Sequence, residues 1–260
     1  MSSAAIADDH ALLLVAVREA GAIALAAFAA GSPSWDKAPG HPVCEADLAV
    51  NEALRDRLMG ARPDYGWLSE ESADTGARLA AARVWVVDPI DGTRAFLAGR
   101  PEFAISVALV VGARPVAGVV YNPATGELFE ARAGAGAHCN GTPLRVAADR
   151  DLATARIAIS RSERRRAEWL GTLATTPISS IAYKLALVAQ GRFDAMVTLW
   201  PKTEWDLCAG DLLVGEAGGR VTDAGGAPLR YNRPDPRVPS LVAGAPAVHA
   251  ALLAHLAATA

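Results

Sequence analysis

Asp88 and Asp91 stand three residues apart in Trp85-Val86-Val87-Asp88-Pro89-Ile90-Asp91-Gly92-Thr93, with a glycine and a hydroxyl directly behind them. Two acids beside a pliant backbone are the parts needed to hold a metal ion next to an anion such as phosphate. The same residues serve equally as turn and helix-cap groups, a common use of aspartate. Either way the local backbone is constrained. The apolar run at 84–87 reads as a short buried strand. Pro89 lacks an amide hydrogen, so regular pairing should stop near Asp88 and the chain should turn sharply. The carboxylates then emerge at a strand end, where sites are commonly built. Gly92 lets the backbone come close to a bound group, and a helix starting around Thr93 would aim free amides at an anion.

Three further acidic stretches must be placed by other elements. A helix is expected from about Glu45, with Val50, Leu54 and Leu58 on one face at steps of four. Asp47 falls in its first turn, as a capping carboxylate or a site residue. Glu70 and Glu71 end the apolar patch Trp67-Leu68-Ser69, either in a solvated loop or at the site. Trp205-Asp206 opens a helix with Leu207, Gly210, Val214 and Ala217 on one side, closing at Gly218-Gly219, and Asp206 is a natural N-cap.

The remaining elements form a mixed pattern. The alanine-rich segment 11–30 reads as a long helix stopped by Gly31, Ser32 and Pro33, and 37–43 reads as a Pro/Gly-rich loop. Residues 73–83 form a loop into the signature strand. Apolar runs at 103–111, 116–121 and 127–132, separated by short turns, read as antiparallel neighbours, and 134–143 is turn-rich. A soft boundary near 149–151 divides the chain into halves, 1–149 and 150–260. The second half alternates a strand at 156–160, a helix from Ser162, a helix at 181–190, a strand at 193–199 and a last helix from Pro246, which argues for an α/β layer packed on an α+β half.

Composition excludes several classes. With 260 residues, 52% of them hydrophobic, the chain can bury a large core. A net charge of -3 and a pI near 6.0 offer no general attraction for nucleic acid, so any phosphate affinity must be local. Cys44, Cys139 and Cys208 are odd in number and widely spaced, which fits a reducing, cytoplasmic setting and argues against a zinc site. Asp8 and Asp9 occupy the place of a signal peptide's positive charge, and Arg18-Glu19 interrupt the long apolar segment; neither a signal nor a membrane span is expected.

Taken together, the segment at 85–93, Val43-Cys44-Glu45-Ala46-Asp47, Ser69-Glu70-Glu71, and Trp205-Asp206-Leu207-Cys208-Ala209-Gly210 with Glu216-Ala217-Gly218-Gly219 resemble the motifs of the inositol monophosphatase superfamily, in that family's order. Cys44 stands where a threonine is usual, and Ser69 where a glycine is. The resemblance implies a layered α-β-α-β-α sandwich of the sugar-phosphatase type and a Mg2+-dependent phosphomonoesterase. It implies Glu70, Asp88, the carbonyl of Ile90, Asp91 and Asp206 as metal ligands, with Asp88 bridging two ions. Asp47, Glu70 and Thr93 would position the attacking water, and Gly92 and Thr93 would hold phosphoryl oxygens beside Asp91 and Asp206. A third, weaker Mg2+ through Glu70 and inhibition by lithium are further implications. Physically, such an acid cluster needs cations: even one pair at about 4 Å costs about 4 kcal/mol at an effective dielectric of 20. With no His or Cys among the ligands, Mg2+ is favoured over Zn2+.

The substrate divides the superfamily. Inositol phosphatases typically carry a glutamate seven residues before the second-signature aspartate; here that residue is Leu199. Histidinol phosphatases usually lack a tryptophan at the position of Trp205, although Thr93-Arg94-Ala95-Phe96 is similar to theirs. Ser179-Ser180 and Lys184 resemble the segment with which 3'(2'),5'-bisphosphate nucleotidases hold their nucleotide, and Lys202 lies near Asp206 in sequence. Lys184 could otherwise snorkel from a helix. The basic cluster Arg161, Arg164, Arg165 and Arg166 is a solvated helix face or an aid in holding a second phosphate. The expected substrate is therefore 3'-phosphoadenosine 5'-phosphate, with Ser180 and Lys184 as binding residues, ahead of inositol 1-phosphate and histidinol phosphate. A degenerate member acting as a binding or scaffold protein is the non-enzymatic alternative, against which the intact acid set argues. Expected partners are one small phosphorylated metabolite and, as an open option, a second copy in a homodimer, with neither nucleic acid nor membrane.

Overall fold

The computed structural model describes residues 3–38, 41–148, 150–163, 171 and 173–259. Helix α1 (Ser3–Ala30) starts well before the apolar segment. Its alanine-rich beginning favours helix, and buried Asp9 accepts hydrogen bonds from Arg62 Nε (2.7 Å) and the Tyr65 hydroxyl (2.8 Å), which ties that first part down. By length and hydropathy α1 could cross a membrane, but its row Leu13, Ala16, Val17, Ala20 and Ala24 is buried against protein. Strands β1 (Ser34–Ala38) and β2 (His41–Cys44) form an antiparallel hairpin where the composition predicts a loop. Pro42 is tolerated there because a two-stranded ribbon has only edges.

Helix α2 (Glu45–Ala61) buries Val50, Leu54 and Leu58, as its spacing requires. A seven-stranded sheet follows: β3 (Gly66–Ser69), β4 (Arg83–Asp91), then, after the short helix α3 (Thr93–Leu97), β5 (Ala104–Val111), β6 (Arg114–Asn122), β7 (Glu127–Arg132), β8 (Ala137–Cys139) and β9 (Thr142–Pro143), in that spatial order. Only β3 and β4 run parallel. Strand β4 does not end at Asp88. Its register passes from Asp88 opposite Ser106 to Asp91 opposite Ala104, three steps against two, so one extra residue is absorbed as a bulge around Pro89. A bulge is where a strand can accept a residue without an amide hydrogen, and it re-aims the side chains on either side.

The second half contributes β10 (Ile157–Ser160), β11 (Thr175–Ile178), α4 (Ile181–Ala189), β12 (Ala195–Thr198), β13 (Lys202–Thr203), α5 (Glu204–Glu216), β14 (Arg220–Thr222), β15 (Arg237–Val238), β16 (Leu241–Gly244) and α6 (Pro246–Thr259). A five-stranded mixed sheet has the order β11-β10-β12-β16-β14. Strands β11, β14 and β16 are short and escape the sequence pattern. The helix expected from Ser162 cannot be followed, because 164–170 lie outside the described residues and 161–163 form a turn.

Alternation on the strands builds the layers. Trp85, Val87, Ile105, Val107 and Val119 face α1 and α2 on one side of the first sheet. Val84, Val86, Ala108, Val110 and Phe129 face α4 and α5 on the other. The opposite sides of those two helices meet Ala158, Met196 and Ala243 of the second sheet, whose far face packs Ile157, Val197 and Val242 on α6. The result is the α-β-α-β-α sandwich. Gly118 permits the central contact: a Cβ there would lie 3.1 Å from the Cα of Ala209 in α5. With Ser106 Oγ donating to the carbonyl of Trp205 (3.1 Å), the start of α5 is fixed against β5, next to the end of β4.

Candidate active site

The bulge in β4 and the first turn of α5 bring Asp88, Asp91 and Asp206 together, one ligand atom of each lying within 4.8 Å of the others. Asp206 is not the N-cap of α5. Thr203 is, and Asp206 at the third helical position accepts the Thr203 amide (2.8 Å) and hydroxyl (3.0 Å) on Oδ2. Such a reciprocal box stabilises the helix start and fixes the carboxylate. Asp91 is likewise held by one oxygen: its Oδ2 accepts from Ser180 Oγ (2.6 Å) and the Ala182 amide (2.5 Å). Asp88 differs from both. It is 1% exposed, and neither of its oxygens has a hydrogen-bond partner among the described residues. A buried carboxylate with both oxygens unsatisfied is too costly to leave bare, so the residues fit divalent cations on an all-oxygen ligand set.

A second pair of groups adjoins the trio. At α2 the N-cap is Cys44, whose amide (2.8 Å) and thiol (2.9 Å) donate to Asp47 Oδ2. The thiol thus fills the place of a hydroxyl, and the other oxygen of Asp47 stays available. Thr93 Oγ1 lies 3.4 Å from that Oδ1 and 3.1 Å from the Ile90 carbonyl, and its one proton can serve only one of them at a time. Gly92 precedes Thr93 with φ +98°, and a Cβ there would meet the Glu102 carbonyl at 2.8 Å, so no other residue fits. Glu70, just beyond β3, receives Lys37 Nζ at 3.2 Å, and Glu71 receives it at 2.5 Å. Ser69 keeps β3 in place by donating to Asn51 of α2 (2.6 Å), a link that its replacement of glycine did not foretell.

A cavity of about 330 Å3 opens over the acids. Glu70, Asp88, Ile90, Asp91, Gly92, Thr93 and Asp206 all line it. Two of the expected substrate residues do not. Ser180 is fully buried, caps α4 by accepting the Tyr183 amide (2.9 Å), and turns its hydroxyl to Asp91. Lys184 is 0% exposed and does not snorkel; its Nζ donates to the Ile178 carbonyl (2.9 Å) and Ser160 Oγ (3.2 Å) beneath the site. Arg94 and Ser179, from the segments Thr93-Arg94-Ala95-Phe96 and Ser179-Ser180, do line the cavity, as do two residues that sequence reasoning passed over, Arg100 and Ser160. Their only signal was proximity to the motifs. The chain has 25 lysines and arginines together, yet its only lysines, Lys37, Lys184 and Lys202, all stand at or beneath this site.

Burial, joined by repulsion from Glu70, Asp91 and Asp206, holds the Asp88 carboxyl well above its ordinary range. Burial likewise pushes Asp91 and Asp206 up to about 6, and Glu70, which also faces Asp206, to about 7. These groups bind protons more tightly folded than unfolded. Without cations their contribution favours the fold below about pH 4 and is lost as pH rises through the folded values. Divalent ions compete with those same protons. The rise in melting temperature produced by Mg2+ over a chelated sample is therefore expected to be large near pH 8 and to shrink steeply below about pH 6. An Mg2+ effect that is constant across that range would dissociate the cation from these acids.

A profile of the family described as "Inositol monophosphatase family" matches residues 9–260. The chain belongs to the inositol monophosphatase family. Members of the inositol monophosphatase family are metal-dependent phosphatases acting on small phosphorylated substrates, and the chain is a phosphoric monoester hydrolase of that kind. It is 42% identical over 208 residues to an inositol-1-monophosphatase of Rhizobium meliloti (strain 1021), covering 74% of this chain and 77% of that one. It is 33% identical over 201 residues to the 3'(2'),5'-bisphosphate nucleotidase CysQ of Shigella flexneri, covering 75% and 81%. The crystal structure of the extragenic suppressor protein suhB from Bartonella henselae superposes with a TM-score of 0.83 at 31% identity, over 94% of this chain and 96% of that one. The layered fold agrees with these likenesses.

Proposed function

We propose that the chain is a Mg2+-dependent 3'(2'),5'-bisphosphate nucleotidase that converts 3'-phosphoadenosine 5'-phosphate into AMP and phosphate. The observation that carries the metal-dependent chemistry is Asp88, buried with two unpaired oxygens between Asp91 and Asp206. Two Mg2+ ions would be held by Asp88 in common, by Glu70 and the Ile90 carbonyl, and by Asp91 and Asp206. When bound they supply positive charge for the phosphoryl oxygens and acidify water. Thr93 Oγ1 would take the attacking water's proton as it passes its own to Asp47 Oδ1, with Glu70 helping to position that water. Burial raises Asp47 to about 6, so near neutral pH it is ionised yet basic enough to take that proton. The leaving nucleoside oxygen would take its proton from solvent water and depart into the cavity.

Thr93→Ala is expected to lower turnover by roughly tenfold to a hundredfold with Mg2+ affinity nearly kept, since Asp47 remains in place. Comparable loss of Mg2+ affinity, measured by calorimetry, would make Thr93 structural.

The bisphosphate substrate is supported by the basic rim of the cavity, Arg94, Arg100, Arg161 and Lys202, above an acidic floor. A competing reading has support of its own, because the Rhizobium relative is named an inositol-1-monophosphatase and is the more similar of the two. Against it, Leu199 packs partly buried on the core beneath α6 and offers no acceptor to a sugar hydroxyl. The two halves, 1–149 and 150–260, act as one unit in this proposal, since Asp91 and Asp206 come from different halves. A cytoplasmic setting accords with three buried free thiols, Cys44, Cys139 and Cys208. A phosphate-release screen with 3'-phosphoadenosine 5'-phosphate, inositol 1-phosphate, histidinol phosphate and fructose 1,6-bisphosphate tests the assignment. The nucleotide is expected to give the highest kcat/KM; a clear preference for inositol 1-phosphate overturns the substrate. Inactivity on all four, with a macromolecular partner recovered instead, would favour the scaffold alternative.

A further inference from the structure

The cations at the cavity mouth are not equivalent. Lys202 Nζ is committed to Glu163 (2.9 Å), itself held by the Thr198 hydroxyl (2.6 Å). Arg161, directly after β10, grips Glu102 with both Nε (3.1 Å) and Nη2 (2.5 Å). Oε2 of that carboxylate also accepts the amide (3.1 Å) and the hydroxyl (3.0 Å) of Ser179, between β11 and α4. One acid from the loop after α3 therefore gathers two segments of the second half at the rim. Arg100, two residues earlier, is exposed, lines the cavity, and makes no side-chain hydrogen bond or ion pair among the described residues.

An exposed ion pair of this kind contributes little to stability: the Arg161 side chain is 42% exposed. Its geometry is better suited to orientation. A guanidinium carries five N–H donors in a planar fork, and Glu102 occupies only the Nε edge. Among the described residues the Nη1 hydrogens and one on Nη2 stay available, on a group whose long side chain has already lost its freedom to a four-bonded acid. A donor held in place before binding loses less entropy when it binds. The acid floor is matched to cations and the scissile phosphate, so an anion at the mouth must be a different group.

We infer that Arg161, oriented by Glu102 and joined by Arg100, is the subsite for a second anionic group on the substrate, and that it makes the enzyme prefer phosphate monoesters bearing a second phosphate over those bearing one. The inference rests on the phosphatase reading of the acid site and refines its substrate class. Glu102 is a positioning residue in it. A planar, two-pronged donor meets a phosphate by two parallel hydrogen bonds, which a lysine at 161 could not reproduce.

The test compares substrates that differ only in the second phosphate: 3'-phosphoadenosine 5'-phosphate against adenosine 3'-monophosphate, and inositol 1,4-bisphosphate against inositol 1-phosphate, with purified full-length protein and saturating Mg2+. Arg161→Gln is expected to reduce kcat/KM for the bisphosphate by roughly ten- to a hundredfold, through KM, and to cost the monophosphate at least about fivefold less. Glu102→Gln should shift the same ratio in the same direction by a smaller factor, and Arg161→Lys should not restore it. Equal losses on both members of a pair, or an unmoved ratio, would reduce Arg161 and Glu102 to a structural latch and overturn the subsite. The inositol pair separates the two readings: a ratio that moves there, with the nucleotides not turned over, keeps the subsite and discards the nucleotide. Circular dichroism and melting of each variant report whether its fold is kept.

Discussion

Replacing Asp88 with asparagine is expected to lower turnover at saturating Mg2+ by at least about a hundredfold, while the metal-free variant melts at a higher temperature than the metal-free parent. The two effects have one source. Among the described residues no donor reaches either buried Asp88 oxygen, and Glu70, Asp91 and Asp206 repel the same charge. With cations bound, that charge is the group the site most needs. Without them it is the group the fold tolerates least. Asparagine keeps the shape, removes the charge, and brings an amide that can donate to the neighbouring carboxylates, relieving the repulsion. Steady-state kinetics and a melt in chelator check the pair of outcomes. Turnover near that of the parent, or a lower melting temperature in chelator, would remove Asp88 from the centre of the site.

Lys184→Ala is expected to destabilise the protein by about 3–5 kcal/mol, from two buried acceptors left unpaired and the void of the lost side chain. The ammonium is fully buried, and its donors satisfy the Ile178 carbonyl and the Ser160 hydroxyl. Burial lowers its pKa to about 8, an effect opposed by the facing charge of Asp91, so it is still charged near neutral pH. Alanine leaves a carbonyl and a hydroxyl unpaired, opens a void in α4, and strips Asp91 of a counter-charge. In a chain of this size that loss corresponds to a fall in melting temperature of about 10 °C. Lys184→Met fills the volume and should cost less, which separates the packing contribution from the charge. If Lys184→Ala instead melts like the parent while raising KM for the bisphosphate alone, the ammonium reaches substrate as its place in the sequence suggests.

The fate of Lys184 illustrates what a linear sequence can and cannot convey. Carboxylates at a strand end, the spacing of Val50, Leu54 and Leu58, and the antiparallel run from β5 to β7 follow from periodicity and turn chemistry, because each depends on neighbours within a few residues. The inward turn of Lys184 and the capping duty of Ser180 depend on where β10 and β11 lie, and no local pattern carries that. Pro89 misled for a related reason. A proline excludes regular pairing, but whether a strand ends or bulges is decided by the partner strand, here Ser106 and Ala104 opposite Asp88 and Asp91. Asp206 was displaced from the cap because Thr203, three residues earlier, completes a capping box with it. The hairpin of β1 and β2 has no buried stripe to announce it; β1 is exposed throughout. Glu102 and Arg161 are 59 residues apart and carry no shared signal.

The gathering of every lysine around one cavity bears on how the protein can be handled. Reagents directed at amines, whether dyes, biotin esters or glutaraldehyde, find as side-chain targets Lys37 and Lys202, both partly exposed at the site. Conjugation by that route would attach its cargo to the mouth of the candidate site's cavity and cap the charges there. Thiol chemistry offers no relief, because Cys44, Cys139 and Cys208 are all buried. A tether for imaging or immobilisation has to be installed as a new cysteine on an exposed face remote from the cavity, such as the outer side of α6.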